Sequence, residues 1–204
     1  WYGGSSVSSR AVTVDGAGYV PRAGDFDGDG HDDVLWYRPG SGSDRIWYGG
    51  ARGRFTSVPV KVTGAYVPVV GDLNGDGTDD VFWYGPGSLP EARWSGRVGE
   101  RPLRSAQAAT VNGRYRPVAA DLDGDGADEL IWYAPGEAAD VRWDGPPPTT
   151  VQTGLRITGD HLPAAGDFDG DGIEDLAWFS PTGGADSVWW GGTSGITSGP
   201  LALR

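Results

Sequence analysis

Four short apolar runs recur along the chain at near-equal intervals, each with the same neighbours. They are Val34-Leu35-Trp36-Tyr37, Val81-Phe82-Trp83-Tyr84, Leu130-Ile131-Trp132-Tyr133 and Leu176-Ala177-Trp178-Phe179. Apolar residues at consecutive positions over so short a span predict a strand buried on both faces. Upstream of each run stands a Tyr-x-Pro or His-x-Pro segment: Tyr19-x-Pro21, Tyr66-x-Pro68, Tyr115-x-Pro117, His161-x-Pro163. Downstream comes a turn: Pro39-Gly40, Pro86-Gly87, Pro135-Gly136, Pro181-Thr182-Gly183. An acid then precedes a second tryptophan by three positions, as Asp44/Trp47, Glu91/Trp94, Asp140/Trp143 and Asp186/Trp189. A β-branched stretch such as Val58 to Val62 completes the unit. Each unit therefore reads as four short strands joined by Gly and Pro turns. No stretch of a dozen residues keeps a helical period, so almost no helix is expected.

Between the first and second predicted strands lies an acidic segment, Asp25-Phe26-Asp27-Gly28-Asp29-Gly30-His31-Asp32-Asp33 in the first unit. Carboxylates at alternate positions, a glycine after the third and a further acid fit a loop wrapped around calcium. That ion takes six to eight oxygen ligands. Gly30 supplies the sharp turn. The candidate side-chain ligands of this loop are Asp25, Asp27, Asp29 and Asp33. Asp72, Asn74, Asp76 and Asp80 repeat the pattern, as do Asp121, Asp123, Asp125 and Glu129. Asp167, Asp169, Asp171 and Asp175 form the fourth copy. Up to four calcium ions are expected. They would be chiefly structural, since binding energy in such loops is folding energy.

The first acids of the loops are 47, 49 and 46 residues apart. A period of this size marks a repeat fold. Four-stranded antiparallel units with doubly buried strands, packed face to face, predict an all-β chain folded as a β-propeller. The units run over residues 19–65, 66–114, 115–160 and 161–204 of a single domain spanning 1–204, with 1–18 as a terminal strand segment. Trp1-Tyr2-Gly3-Gly4 matches Trp47-Tyr48-Gly49-Gly50, and a strand is expected from Arg10 to Val14. Trp1 to Trp189 spans four periods of 47, which predicts a four-bladed ring completed by a terminal strand. Pro146-Pro147-Pro148 is expected in a surface loop.

The formal charge of -12 is mostly a property of the loops, which hold nineteen of the 28 acids. The other nine acids face 16 basic residues, with Lys61 the sole lysine and no basic stripe, so nucleic acid is a poor partner. No apolar run is long enough for membrane insertion. Without cysteine, disulfides and thiolate metal sites are excluded. The chain opens on Trp1, which suggests a processed protein or an excised part of a larger secreted one.

The order Gly-Asp-Phe-Asp-Gly-Asp-Gly-x-x-Asp-Val, followed by a Trp and a second Trp-Gly, resembles the FG-GAP/VCBS repeat family over essentially the whole chain. Integrin α-subunit propellers and bacterial and fungal lectin-like relatives belong with it. The resemblance implies calcium in the hairpin between the first two strands of each blade. It also implies backbone-carbonyl ligands at His31, Thr78, Ala127 and Ile173, and a longer final ligand at Glu129. An EF-hand does not fit, because its twelfth position needs a bidentate Glu. Here that position is Trp36, Trp83, Trp132 or Trp178.

No Ser-His-Asp or Cys-His set is available, and the two histidines stand in a loop (His31) and an aromatic slot (His161), so an enzyme is not expected. Ten Trp, eight Tyr and five Phe invite a carbohydrate reading. The tryptophans that recur in every unit are expected in the core between blades. The ligand candidates are rings beside turns, namely Tyr2, Tyr37, Tyr48, Tyr84, Tyr133 and Trp190, with Arg45, Arg93 and Arg142 as hydrogen-bond donors. Two readings follow: a secreted, calcium-dependent glycan-binding module, and a propeller that binds a cell-surface or secreted protein without a sugar.

Overall fold

The computed structural model describes residues 13–14, 16–40, 42–51, 53–87, 89–136 and 139–200. They form sixteen strands and no helix, so none is long and apolar enough to cross a membrane. The first blade holds β1 (Val20–Gly24), β2 (Asp33–Tyr37), β3 (Asp44–Tyr48) and β4 (Thr56–Val60). The second holds β5 (Val67–Gly71), β6 (Asp80–Tyr84), β7 (Ala92–Ser95) and β8 (Arg104–Ala106). The third holds β9 (Arg116–Ala120), β10 (Glu129–Tyr133), β11 (Asp140–Asp144) and β12 (Val151–Leu155). The fourth holds β13 (Leu162–Gly166), β14 (Asp175–Phe179), β15 (Ser187–Trp190) and β16 (Thr197–Pro200). Each is an antiparallel meander in chain order. Register repeats from blade to blade: Gly24 pairs with Asp33, Gly71 with Asp80, Ala120 with Glu129 and Gly166 with Asp175. The result is an array of four β-propeller blades.

The core lies between blades. Odd positions of the second strand face the following blade and even positions the preceding one, as the two-residue period of a strand dictates. Leu35 and Tyr37 thus share a cluster with Val81 and Trp83. Phe82 and Tyr84 meet Leu130 and Trp132, and Ile131 and Tyr133 meet Leu176 and Trp178. The rings meet edge-on: Tyr37 and Trp83 at 5.0 Å, Tyr84 and Trp132 at 5.3 Å, Tyr133 and Trp178 at 5.3 Å. Such pairs add about 0.5–1.5 kcal/mol beyond their buried area. Each tyrosine hydroxyl also ties down the connector into the next blade. Tyr84 Oη donates to Gly113 O at 2.7 Å and accepts from Tyr115 N at 3.0 Å.

Double burial of the second strand holds throughout β6 and β10. It fails on one side of each end blade: Trp36 is only half-buried and Phe179 is 52% exposed. The cause lies in the order of packing. The inner strands pack in sequence, β1 on β5, β5 on β9, β9 on β13, and β13 makes no comparable packing with β1. The four propeller blades expected from the sequence are all present, and among the described strands the first and last pack on each other less closely than neighbours do. The expected strand from Arg10 to Val14 and the ring of Tyr2 lie almost wholly outside the described residues.

Candidate functional site

Every acidic segment folds into a tight loop between its two strands. In the first, the carboxylate of Asp25 accepts from Asp29 N at 3.2 Å and Gly30 N at 2.8 Å. Gly30 has φ +80°, a conformation that favours glycine. Gly77 N, Gly126 N and Gly172 N donate in the same way to Asp72, Asp121 and Asp167. The final acid, fully buried, staples the loop to the sheet. Asp33 accepts from Phe26 N at 3.0 Å and from Gly49 N at 2.7 Å, and Asp175 from Phe168 N and Gly191 N. Burial is the main reason that the carboxyls of Asp33 and Asp80 are pushed up to about 6 and that of Glu129 to about 8.

Three loops gather carboxylate oxygens within 4.8 Å of one another: Asp25 with Asp27 and Asp29, Asp121 with Asp123 and Asp125, Asp167 with Asp169 and Asp175. Asp33, Glu129 and Asp171 stand outside these triads, and the second loop brings no three acids together. There the Asn74 amide donates to Asp80 at 3.2 Å. Thr78 Oγ1 donates to Asp76 at 2.5 Å. His31 N and Nδ1 lie 2.9 and 3.1 Å from Asp29 Oδ1. Ala127 N and Ile173 N donate to Asp125 and Asp171, each at 2.8 Å. Asp27 is 2% exposed and its Oδ1 has no hydrogen-bond partner. Convergent hard oxygens with a buried, unpaired carboxylate oxygen among them fit a hard divalent cation.

A cation of the chain's own already reaches the first loop. Arg101, in the β7–β8 connection, pairs through Nε with Asp27 Oδ2, and its Nη2 lies 3.5 Å from Asp29. Its guanidinium rests 4.5 Å from the centre of the Tyr48 ring. Gly99 N donates to Asp27 O at 2.7 Å, so this connection caps the loop.

One set of residues has a role that the ligand pattern does not assign. The acid before each final ligand, at Asp79, Asp128 and Glu174, reaches back to the preceding blade's loop. Asp79 N donates to Asp25 O at 2.8 Å, and Asp25 N donates to Asp79 Oδ2 at 2.7 Å. Asp128 makes both bonds with Asp72, and Glu174 makes both with Asp121. Burial pushes Asp79 up to about 6 and Asp128 to about 7. The signal was in the sequence: an acid recurs at this position in all four units without a ligand role. The acids before the second tryptophan are also structural. Asp44 accepts from Arg38 N and Val62 N, and Asp140 from Ala134 N and Ile157 N.

Two equivalent grooves open where a connector enters a blade. One, of about 510 Å³, is lined by Thr158, Asp160, His161, Trp178, Ser180 and Trp189. Its counterpart one blade earlier, of about 290 Å³, is lined by Asn112, Tyr115, Trp132, Trp143 and Gln152. Trp178 and Trp189 meet edge-on at 5.0 Å, as do Trp132 and Trp143. The indole Nε1 of Trp132 and Trp178 and the Nδ1 of His161 are buried without partners. The rings proposed from sequence sit elsewhere. Tyr37, Tyr48, Tyr84 and Tyr133 are completely buried, so they offer no face to a ligand. They became core because their side of the strand meets the next blade. Trp190 is half-buried opposite Thr197, outside both grooves. Arg45 is half-buried on β3, and Arg93 and Arg142 turn to Asp80 and Asp144, at 3.9 and 2.6 Å. The recurring tryptophans assigned to the core thus also wall the grooves.

The FG-GAP-like repeat model matches residues 25–83 and 72–132, together more than half of the chain, and the FG-GAP repeat model matches residues 162–195. The chain belongs to the FG-GAP repeat family. No curated protein matches it. A solved structure similar to this FG-GAP chain is described as the structural basis of specific recognition of non-reducing terminal N-acetylglucosamine by an Agrocybe aegerita lectin. It is 17% identical with a TM-score of 0.64, over 89% of this chain and 51% of that one. The FG-GAP array thus spans about half the length of that structure, and the likeness shows the fold.

Proposed function

We propose that this FG-GAP propeller is a calcium-stabilised carbohydrate-binding module of a secreted protein. The observation that carries the reading is the repeated groove, walled by an edge-on tryptophan pair and edged with the polar side chains of Thr158 and Asp160 in one copy and of Asn112 and Gln152 in the other. A sugar presents C–H faces that pack on indole and hydroxyls that need donors and acceptors. In the fourth blade the part-exposed Trp189 would give the packing surface, and Thr158 and Asp160 the polar contacts. In the third, Tyr115 would do the former and Asn112 and Gln152 the latter. The acid triads would hold calcium, whose charge offsets the clustered carboxylates and pins each hairpin. Sites repeated from blade to blade favour glycan surfaces that engage several at once.

Terminal N-acetylglucosamine is the first sugar to test, given the similar lectin fold. The test is binding to immobilised glycans with calcium present, compared with two variants. Trp189→Ala removes the packing surface and should weaken binding up to about tenfold, in line with an aromatic contact of about 0.5–1.5 kcal/mol. Ser187→Trp fills the larger groove without deleting a contact and should weaken binding at an unchanged melting temperature. A chain that retains no glycan in calcium, or variants that bind like the parent, would overturn the reading.

A further inference from the structure

The turns between third and fourth strands face the acidic loops of the blades before them, and they differ in the charge they bring. In the second, third and fourth blades one backbone bond closes this turn. It runs from Glu100 N to Arg97 O at 3.0 Å, from Thr149 N to Pro146 O at 3.0 Å, and from Gly195 N to Gly192 O at 2.8 Å. The turns of the second and fourth blades pack alike on the preceding loop. Arg97 N donates to Phe26 O at 3.4 Å, and Gly192 N to Leu122 O at 2.9 Å. The residue after the closing position is Arg101 in the second blade, Thr150 in the third and Ile196 in the fourth. Ile196 packs into the apolar cluster of Leu122 and Leu176. Arg101 instead pairs with Asp27 and lies 3.5 Å from Asp29.

We propose that Arg101 is a resident counter-cation of the first loop and sets its calcium affinity below that of the third loop. The two loops gather the same three acids, Asp25, Asp27 and Asp29 against Asp121, Asp123 and Asp125. They differ in the charge facing them from the next blade. A divalent ion entering the first triad meets a guanidinium that already shares two of its three carboxylates, and like charges so close repel. Asp27 is 2% exposed, so salt screens this repulsion little. Near the third triad stands Arg142, but its charge is met by Asp144 at 2.6 Å. Asp27 Oδ1, buried and unpaired, still offers an oxygen to an ion, so the first site is weakened rather than abolished.

The guanidinium is held in place from several sides. It rests 4.5 Å from the centre of the completely buried Tyr48 ring. Gly99 N donates to Asp27 O at 2.7 Å, which fixes the chain two residues upstream. The neighbouring acid, Glu100, is engaged by Arg104 at 2.5 Å and does not draw Arg101 away. Without an ion, Arg101 offsets part of the loop's negative charge. With one, the two cations oppose each other. By linkage, the factor by which Arg101 weakens calcium is the factor by which calcium loosens Arg101.

This rests on the reading of the triads as calcium sites, and titration calorimetry on the full chain separates the two. The parent should show a weak calcium step beside tighter ones, and Asp29→Asn should abolish the weak step. Arg101→Met keeps a stem over Tyr48 and removes the charge. It should tighten the weak step at least about tenfold, inside the range of about 5–150-fold usual for coupled sites. Arg101→Lys keeps the charge and should leave the step weak. In excess chelator Arg101→Met should melt below the parent, and calcium should narrow the gap. If Arg101→Met binds calcium no more tightly than the parent, or Arg101→Lys binds as tightly as Arg101→Met, this proposal is overturned and the triads remain calcium sites. A parent that takes up no calcium overturns both readings.

Discussion

Replacing Tyr84 by phenylalanine removes a single oxygen from the joint between the second and third blades. That oxygen donates to Gly113 O at 2.7 Å and accepts from Tyr115 N at 3.0 Å, and the ring is completely buried. Each bond is worth about 1 kcal/mol net, and a backbone N–H stranded out of water costs about 1–3 kcal/mol. The loss should therefore total about 2–4 kcal/mol. In a chain of this size each kcal/mol moves the melting midpoint by about 2–4 °C, so a fall of about 4–16 °C is expected. Tyr115→Phe is the control. Its hydroxyl donates to Asn112 O at 3.2 Å on the exposed side, and the change should stay within about 0.5 kcal/mol. Thermal unfolding followed by circular dichroism, with urea titration as a second measure, gives both values. If Tyr84→Phe melts with Tyr115→Phe, the hydroxyls are not what fastens connector to blade, and the account of the joints is wrong.

Excess chelator should lower the melting temperature well below that in calcium, and coincident curves would refute ions as structural parts. Asp27→Ala should cost calcium affinity by titration calorimetry where Asp32→Ala does not, since only Asp27 stands in a triad. Arg101→Ala leaves the Asp27 carboxylate without its partner. Because Arg101 is one-third exposed, the cost should be about 1–2 kcal/mol in chelator and smaller in calcium, which a melting comparison reads. Tyr48→Ala should destabilise by about 3–5 kcal/mol in urea unfolding, as expected of a core ring and not of a surface contact. Gly71→Ala drives a methyl group into the Asp128 carboxylate and should cost about 1–3 kcal/mol by the same measure. Gly154→Ala, with open space around it, should cost nothing.

The repeat, the strand count and the loops were legible because each unit states them again, and four copies in register leave little freedom. Periodicity also located the buried rings, but it could not tell which face of a strand a neighbour covers. Tyr37 and Tyr48 looked like turn-side rings, yet both point at the following blade. Counting periods gave the number of blades, but it says nothing about curvature, on which the packing of β1 against β13 depends. The grooves were hidden for a different reason. They lie between a connector and a tryptophan pair, and no local pattern announces a void between segments distant in sequence. Arg101 was invisible likewise, because its partner Asp27 lies a blade away.

The clip across each joint constrains how such a chain can be shuffled. Its acid belongs to one repeat and the residue that makes room for it to the repeat before. A Cβ at Gly24 would come within 2.6 Å of Asp79 Oδ2, and one at Gly71 would strike Asp128. The third blade carries Ala120 at this position, and there the incoming acid is the longer Glu174. Glycine goes with aspartate and alanine with glutamate, so the two positions make one choice written in two places. A unit copied from one slot to another inherits half of each choice and meets a neighbour holding the other half. Gly24 and Asp79 lie further apart than one repeat, so a cut anywhere between them, within a blade or in a connector, separates the pair. For gene duplication and for engineering alike, the smallest portable segment that keeps such a pair is longer than a single repeat.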